Sequence, residues 1–313
     1  MEEVSSPFNS NSPISREIAS FFTLSFVIAG IIFLIVAGGV LYSVWRFRAR
    51  PGDREPKQIF GNTRLEIAWT AAPALILIVI FILMLPLMGR LYPVRGQEDQ
   101  QQPDIIVTGY QWWWHIEYPG SQVITANEIH VPVGQRLLIQ LEAVDVIHAF
   151  SVPQLTFKRD MIPGHTNYVW LEAEKPGIYL GACFEYCGAQ HAWMRLRVIA
   201  HPQDEFTAWQ QQHQQTPAIP TSGAAARGAE LFNDLTCVNC HAVRGRSEAL
   251  AGPDLTHIAS RETLGAGVIT NTRENLADWI TNPHTIKPGT YMPGFQLPDE
   301  DLQALLDYME TLE

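Results

Sequence analysis

The chain has 313 residues, 47% of them hydrophobic and 17% charged, with 32 acidic against 21 basic residues and a formal net charge of -11. That length allows two or three domains, each with its own core. The acidic excess argues against nucleic acid as a partner, and four cysteines, at 183, 187, 237 and 240, leave none over for a disulfide scaffold.

The first 90 residues stand apart, with six acidic and eight basic residues. No charge falls between Glu17 and Arg46, or between Glu66 and Arg90. Each run exceeds the ~20 apolar residues that cross a bilayer as a helix, so residues 1–90 are expected to form a transmembrane helical hairpin in contact with membrane lipid. The connection carries Arg46, Arg48, Arg50, Arg54, Lys57 and Arg64 against Asp53 and Glu55. The positive-inside rule places it in the cytoplasm and both termini on the outer, periplasmic side of a bacterial plasma membrane. Read instead as a cleaved signal peptide, the first run is longer than the usual apolar core of ~7 to 15 residues. Pro73 and Pro86 in the second run are tolerated in membrane helices, where neighbouring groups satisfy the freed carbonyls. Glu66, at the inner edge of that run, reads on sequence physics alone as an interfacial carboxylate.

From Asp104 to about Ala200 short apolar runs alternate with Pro and Gly: IIVTGYQWWWHIEY, RLLIQLEAV, HAFSV, NYVWLEA, GIYLGA and WMRLRVIA. This spacing predicts an antiparallel β-sandwich over 91–205. The segment CFEYCGAQHAWM falls between its last two strands and gathers Cys183, Cys187, His191 and Met194, with His148 within reach from a neighbouring strand. A structural zinc site takes four N or S ligands and has no use for a thioether, whereas thiolate with Met favours copper. A blue-copper centre uses one Cys, two His and a weak Met, so a second Cys suggests two coppers bridged by two sulfurs. A local disulfide is the alternative.

These residues resemble subunit II of the haem-copper cytochrome c oxidases, whose cupredoxin domain, a Greek-key sandwich, carries the dinuclear CuA centre. NTRLEIAWTAAP, GYQWWWHIEY, DVIHAFSVP and RDMIPGH extend the resemblance through residues 60–200. It implies that His148, Cys183, Cys187, His191 and Met194 are copper ligands and that Glu185 adds its backbone carbonyl. It also implies a magnesium ion at the subunit I boundary held through the Glu185 side chain, arrival of electrons from cytochrome c at Trp112, and a place for Glu66 near the mouth of a proton pathway. The bland reading of the QWWW stretch is packing of a sandwich or a membrane interface.

Residues 206–221, QQQHQQTPAIPTSGAAA in part, read as a polar, Pro-containing connector. Beyond it, CVNCH is the attachment signature of c-type haem: Cys237 and Cys240 bond the porphyrin and His241 ligates iron. The run AAARGAELFNDL before it and PDEDLQALLDYMETLE at the end of the chain predict two helices. With KPGTYMPGF between them, residues 222–313 resemble an all-α class I cytochrome c. The resemblance makes Met292 the distal iron ligand and Gly228, Phe232 and Tyr308 the contact between first and last helices. Met309 falls on the closing helix and reads as core; His257 and His284 are the remaining candidate distal ligands.

The whole is expected to be subunit II of a caa-type oxidase, passing electrons from haem c through CuA to subunit I, where dioxygen is reduced to water and protons are pumped. Its expected partners are subunit I, subunit III and a donor that is either cytochrome c or a membrane cytochrome complex. A membrane-anchored copper carrier that matures an oxidase is the alternative; it needs an exposed, exchangeable site and no haem.

Overall fold

The computed structural model describes residues 6, 8–55, 57–92 and 102–313. The expected start of the sandwich segment, 91–205, therefore lies partly outside the described residues.

Two long helices, α1 (Pro13–Arg46) and α2 (Thr63–Leu91), occupy the two charge-free runs. Their apolar side chains point outward on every face, with Phe33, Leu34, Ile35, Leu77 and Phe81 all exposed. A helix apolar all round has no water-facing side, as a membrane span requires. Pro73 and Pro86 sit inside α2 without ending it. Asn62 caps that helix, its Oδ1 accepting from the Leu65 amide, while the Glu66 carboxylate accepts from the Asn62 amide at 3.2 Å. The carboxylate also complements the positive end of the helix dipole.

Residues 105–201 build two five-stranded sheets. The first has the order β3 (Val123–Ala126), β2 (Trp113–Tyr118), β1 (Ile105–Tyr110), β5 (Leu137–Ala143), β8 (Asn167–Leu171). The second has β4 (Glu128–Pro132), β10 (Arg195–His201), β9 (Gly177–Cys183), β6 (His148–Val152), β7 (Thr156–Met161). Trp114, Ile116, Ile139, Phe150, Met161 and Val198 fill the space between them. The sandwich is not wholly antiparallel: β1 pairs in parallel with β5, and β4 with β10. Both pairings join strands from different hairpins, which alternation within a run does not report. The continuous run around QWWW splits at Gln111 and Trp112, which form the turn between β1 and β2 as Tyr110 pairs with Trp113.

Helix α3 (Gln203–His213) follows β10, so the expected connector 206–221 is helical as far as His213. Trp209 holds it to the sandwich, stacking on His130 with ring centroids 4.2 Å apart and meeting Tyr118 edge-on at 5.2 Å. The polar composition hides this because one aromatic stripe, Phe206 and Trp209, carries the packing.

The C-terminal part is mainly helical: α4 (Gly223–Asp234), α5 (Arg273–Thr281), α6 (Pro283–Ile286) and α7 (Asp299–Glu310), with two short hairpins at 241–250 and 263–270. Helices α4 and α7 cross at Gly228, where an added Cβ would collide with the Ala304 carbonyl. Phe232 and Tyr308 complete that crossing with centroids 5.6 Å apart.

Candidate metal centres

Strand β9 ends at Cys183 and the loop back to β10 carries Glu185, Cys187, His191 and Met194, while β6 presents His148 beside it. The two sulfurs lie 3.7 Å apart. That is far beyond the ~2.05 Å of a disulfide, and both thiols are free. It is close to the roughly 3.8 Å expected of two sulfurs each ~2.3 Å from one tetrahedral ion. His148 Nδ1 faces Cys183 Sγ at 3.9 Å, His191 Nδ1 faces Cys187 Sγ at 3.6 Å, Met194 Sδ lies 3.8 Å from Cys187 Sγ, and the Glu185 carbonyl is 3.1 Å from Cys183 Sγ. Donor atoms of His148, Cys183 and Cys187 all fall within 4.8 Å of one another. The two sulfurs thus gather the other four sequence-predicted donors, His148 and the Glu185 carbonyl at Cys183 and His191 and Met194 at Cys187.

Neighbours fix the donors' orientation. His148 Nε2 lies 2.8 Å from Asp145 Oδ1, which turns Nδ1 to the sulfurs. The Cys187 carbonyl accepts from Gln111 Nε2 at 2.7 Å and from the Trp112 indole at 3.0 Å. Gly188, at φ +116°, lets that indole lie on the loop: a Cβ there would be 3.1 Å from Trp112 Cζ2. Close pairing with Cys187 pulls the Cys183 thiol far down, and His148 adds to the effect. The same pairing pushes Cys187 up. The Glu185 side chain turns away to accept from Lys158 Nζ at 2.6 Å.

The second cluster lines a cavity of about 380 Å³ whose walls include Cys237, Cys240, His241 and Met292. His241 Nδ1 donates to the Pro253 carbonyl at 2.8 Å, so Nε2 is the free ligand atom. Burial lowers the His241 pKa and keeps the ring neutral. Burial also raises the Cys237 thiol to about 11. Met309 reaches the same cavity from the core side of α7. His257 does not line it; its ring nitrogens face the carbonyls of Glu313 and His213. His284 is exposed on α6. A concave, largely apolar space with two free thiols and one oriented imidazole fits a covalent haem.

Sandwich residues also line that cavity, among them Trp112 and Gln190. The indole of Trp112 is 7% exposed because Tyr291, next to Met292, lies over it at a centroid distance of 5.0 Å. Elsewhere between the two parts, buried Glu128 accepts from the Glu262 amide, the Thr263 amide and the Thr263 hydroxyl, and Arg244 donates to carbonyls of His213, Gln214 and Gln122. The sequence did not point to Asp145, Gln190, Lys287 or Pro253. Asp145, three residues before His148 in DVIH, was the one with a readable signal.

Three family patterns match the chain: the transmembrane domain of cytochrome c oxidase subunit II over residues 7–87, its periplasmic domain over 120–201, and cytochrome c over 225–313. The chain is 35% identical to cytochrome c oxidase subunit 2 of Alkalihalophilus pseudofirmus, covering 100% of this chain and 92% of that one. It is 31% identical to the subunit 2 of a Bacillus species (85% and 80% covered) and 33% identical to that of Bacillus subtilis (87% and 82%). With hairpin, copper-type sandwich and haem-type cavity in one polypeptide, the chain belongs to the cytochrome c oxidase subunit II family, in the form that carries a fused cytochrome c domain.

Proposed function

We propose that residues 91–205 hold CuA through His148, Cys183, Cys187, His191, Met194 and the Glu185 carbonyl, and that residues 222–313 hold haem c through Cys237, Cys240, His241 and Met292. The observation that carries this reading is the convergence of all six copper donors on two sulfurs 3.7 Å apart. When bound, the two groups would supply one-electron transfer, with no bond made or broken in the chain. The protein's part is to hold, orient and shield. Asp145 and Pro253 fix the imidazole tautomers, and the sandwich keeps water from Met194, which is 0% exposed.

Trp112 is the residue through which electrons reach the copper loop, supported by its indole bond to the Cys187 carbonyl. With Tyr291 covering it, the haem of this same chain is the donor at that point, and an outside donor, cytochrome c or a membrane cytochrome complex, delivers to the haem. Glu185 reaches magnesium at the subunit I boundary on releasing Lys158. Glu66 serves the mouth of the proton pathway from its capping position on α2. The hairpin lies in the lipid of a bacterial plasma membrane with both termini outside, and subunit III joins subunit I in the complex. Burial of Cys183, Cys187 and Met194 opposes the copper-carrier alternative, which needs exchangeable metal.

Metal analysis with an absorption spectrum of the chain, made in a host that matures c-type haem, tests the assignment. Two coppers and one haem per chain are expected; zinc, or a single copper, contradicts it.

A further inference from the structure

The segment from Lys287 to Met292 is tied to the copper loop by a set of bonds that no ligand role requires. Lys287 and Gln190 are 4% and 1% exposed. Lys287 Nζ donates to the Trp112 carbonyl at 2.9 Å, and Gln190 Nε2 donates in the opposite direction, to the carbonyls of Lys287 (3.0 Å) and Pro288 (2.9 Å). Each ends one step from a copper donor. Gln190 precedes His191 in the chain, and Trp112 bonds the Cys187 carbonyl through its indole. Further along the same segment come Tyr291, against Trp112, and Met292, in the haem-type cavity.

Burying a lysine whose only hydrogen-bond acceptor among the described residues is a backbone carbonyl is expensive. Burial pulls its ammonium down to about 7. Hydrophobic packing alone would be served as well by Leu or Met at that position, so the site keeps a long donor at a cost in stability. What the donor achieves is geometric: two oppositely directed bonds fix the loop in both sliding directions, which a single bond does not do.

We propose that Gln190 and Lys287 are positioning residues that lock the Tyr291–Met292 segment onto the Trp112 face and thereby set the rate of electron transfer from haem to copper. The inference rests on the haem and copper assignment above. In the locked state the two redox centres are held together before reduction, and no docking step precedes the transfer of the electron. Without the lock the haem-bearing segment has to find the Trp112 face at each turnover, and motion through solvent limits the rate. Losing the hydrogen bonds that hold the lock lowers its population roughly ten- to a hundredfold.

The test uses the full metal-loaded chain in detergent, with Gln190→Leu, Lys287→Met and the double variant, which keep side-chain volume and remove the donors. The haem is reduced by a flash from a soluble photosensitiser, and reoxidation is followed beside the copper band as glycerol is added. The parent is expected to transfer at a rate independent of viscosity. The variants are expected to be roughly ten- to a hundredfold slower and viscosity-dependent as the locked population falls, with unchanged copper and haem spectra and faster hydrogen exchange confined to residues 186–191 and 285–292. Variants that match the parent's rate overturn the inference, as do variants that are slower but independent of viscosity. A changed copper spectrum also overturns it, by making these residues part of the ligand shell. A parent that shows no haem-to-copper transfer counts against the assignment of the two centres and is distinguishable from all of these.

Discussion

The two centres are prepared differently. Around the sulfurs the chain alone brings every donor to its place: Cys183 closes a strand, His148 opens another, and Asp145, Gln111 and Trp112 hold the donors by hydrogen bonds. Around CVNCH the chain leaves a cavity of about 380 Å³, with Cys240 exposed and the Met292 loop irregular. The copper-type donors sit at the edge of the sandwich core, whereas the haem-type donors line a cavity whose walls include Leu255, Leu276 and Ile280 of the C-terminal core, so a haem held there would be part of that core.

Removing each group in turn is the strongest way to break that contrast. Cys237→Ala with Cys240→Ala, which prevents attachment, is expected to abolish cooperative unfolding of residues 222–313. Stripping copper is expected to leave the sandwich folded with a lower Tm. Calorimetry with hydrogen exchange reads both, and equal sensitivity of the two parts would refute the contrast.

Gly228→Val comes next. Its side chain meets the Ala304 carbonyl and the Tyr308 Cβ, so α4 and α7 must separate, at a cost of about 3 kcal/mol in chemical denaturation. The copper band is expected to stay as it is.

The joint between the parts is expected to weaken in acid. His213, 3% exposed between Trp209 and His257, is lowered by burial from 6.5 to about 4. Above pH 6.5 the ring is neutral folded and unfolded, and the full stability is present. As pH falls from 6.5 toward 4 the unfolded chain takes up a proton that the folded chain refuses, so up to about 3 kcal/mol is lost across that window. Denaturation midpoints from pH 7.5 to 4.5 check the sign, and His213→Phe is expected to flatten the profile.

Asp145→Asn gives the smallest effect. It leaves His148 without its charged partner and is expected to lower copper affinity ten- to a hundredfold in chelator competition. An equally tight site would show that the strand, not Asp145, sets the imidazole.

Much of this was legible in the sequence, because the readable features are local. The charge-free runs became α1 and α2, the clustered donors gathered around the two sulfurs, and Gly228, Phe232 and Tyr308 met as the first-to-last helix contact. What escaped depends on residues far apart in the chain. Strands β3, β4 and β7 went unread because VITA is only four residues long, EIHVP is buried at every position and TFKRDM is largely polar, so none shows the period of two. The parallel pairings, the aromatic anchor of α3, and the bonds from Lys287 to Trp112 and from Gln190 to Lys287 join positions whose separation no window of sequence covers. Trp112 shows the boundary well: its residue type was suggestive, but its cover by Tyr291 is a tertiary fact.

The central claim is that one chain holds two successive stations of an electron path already in contact. Flash reduction of the haem in the purified, metal-loaded chain, repeated over a hundredfold range of protein concentration, tests it most directly. Haem reoxidation and copper reduction are expected to share one rate constant that does not change with concentration. A rate proportional to concentration, or a haem that stays reduced beside oxidised copper, would contradict it.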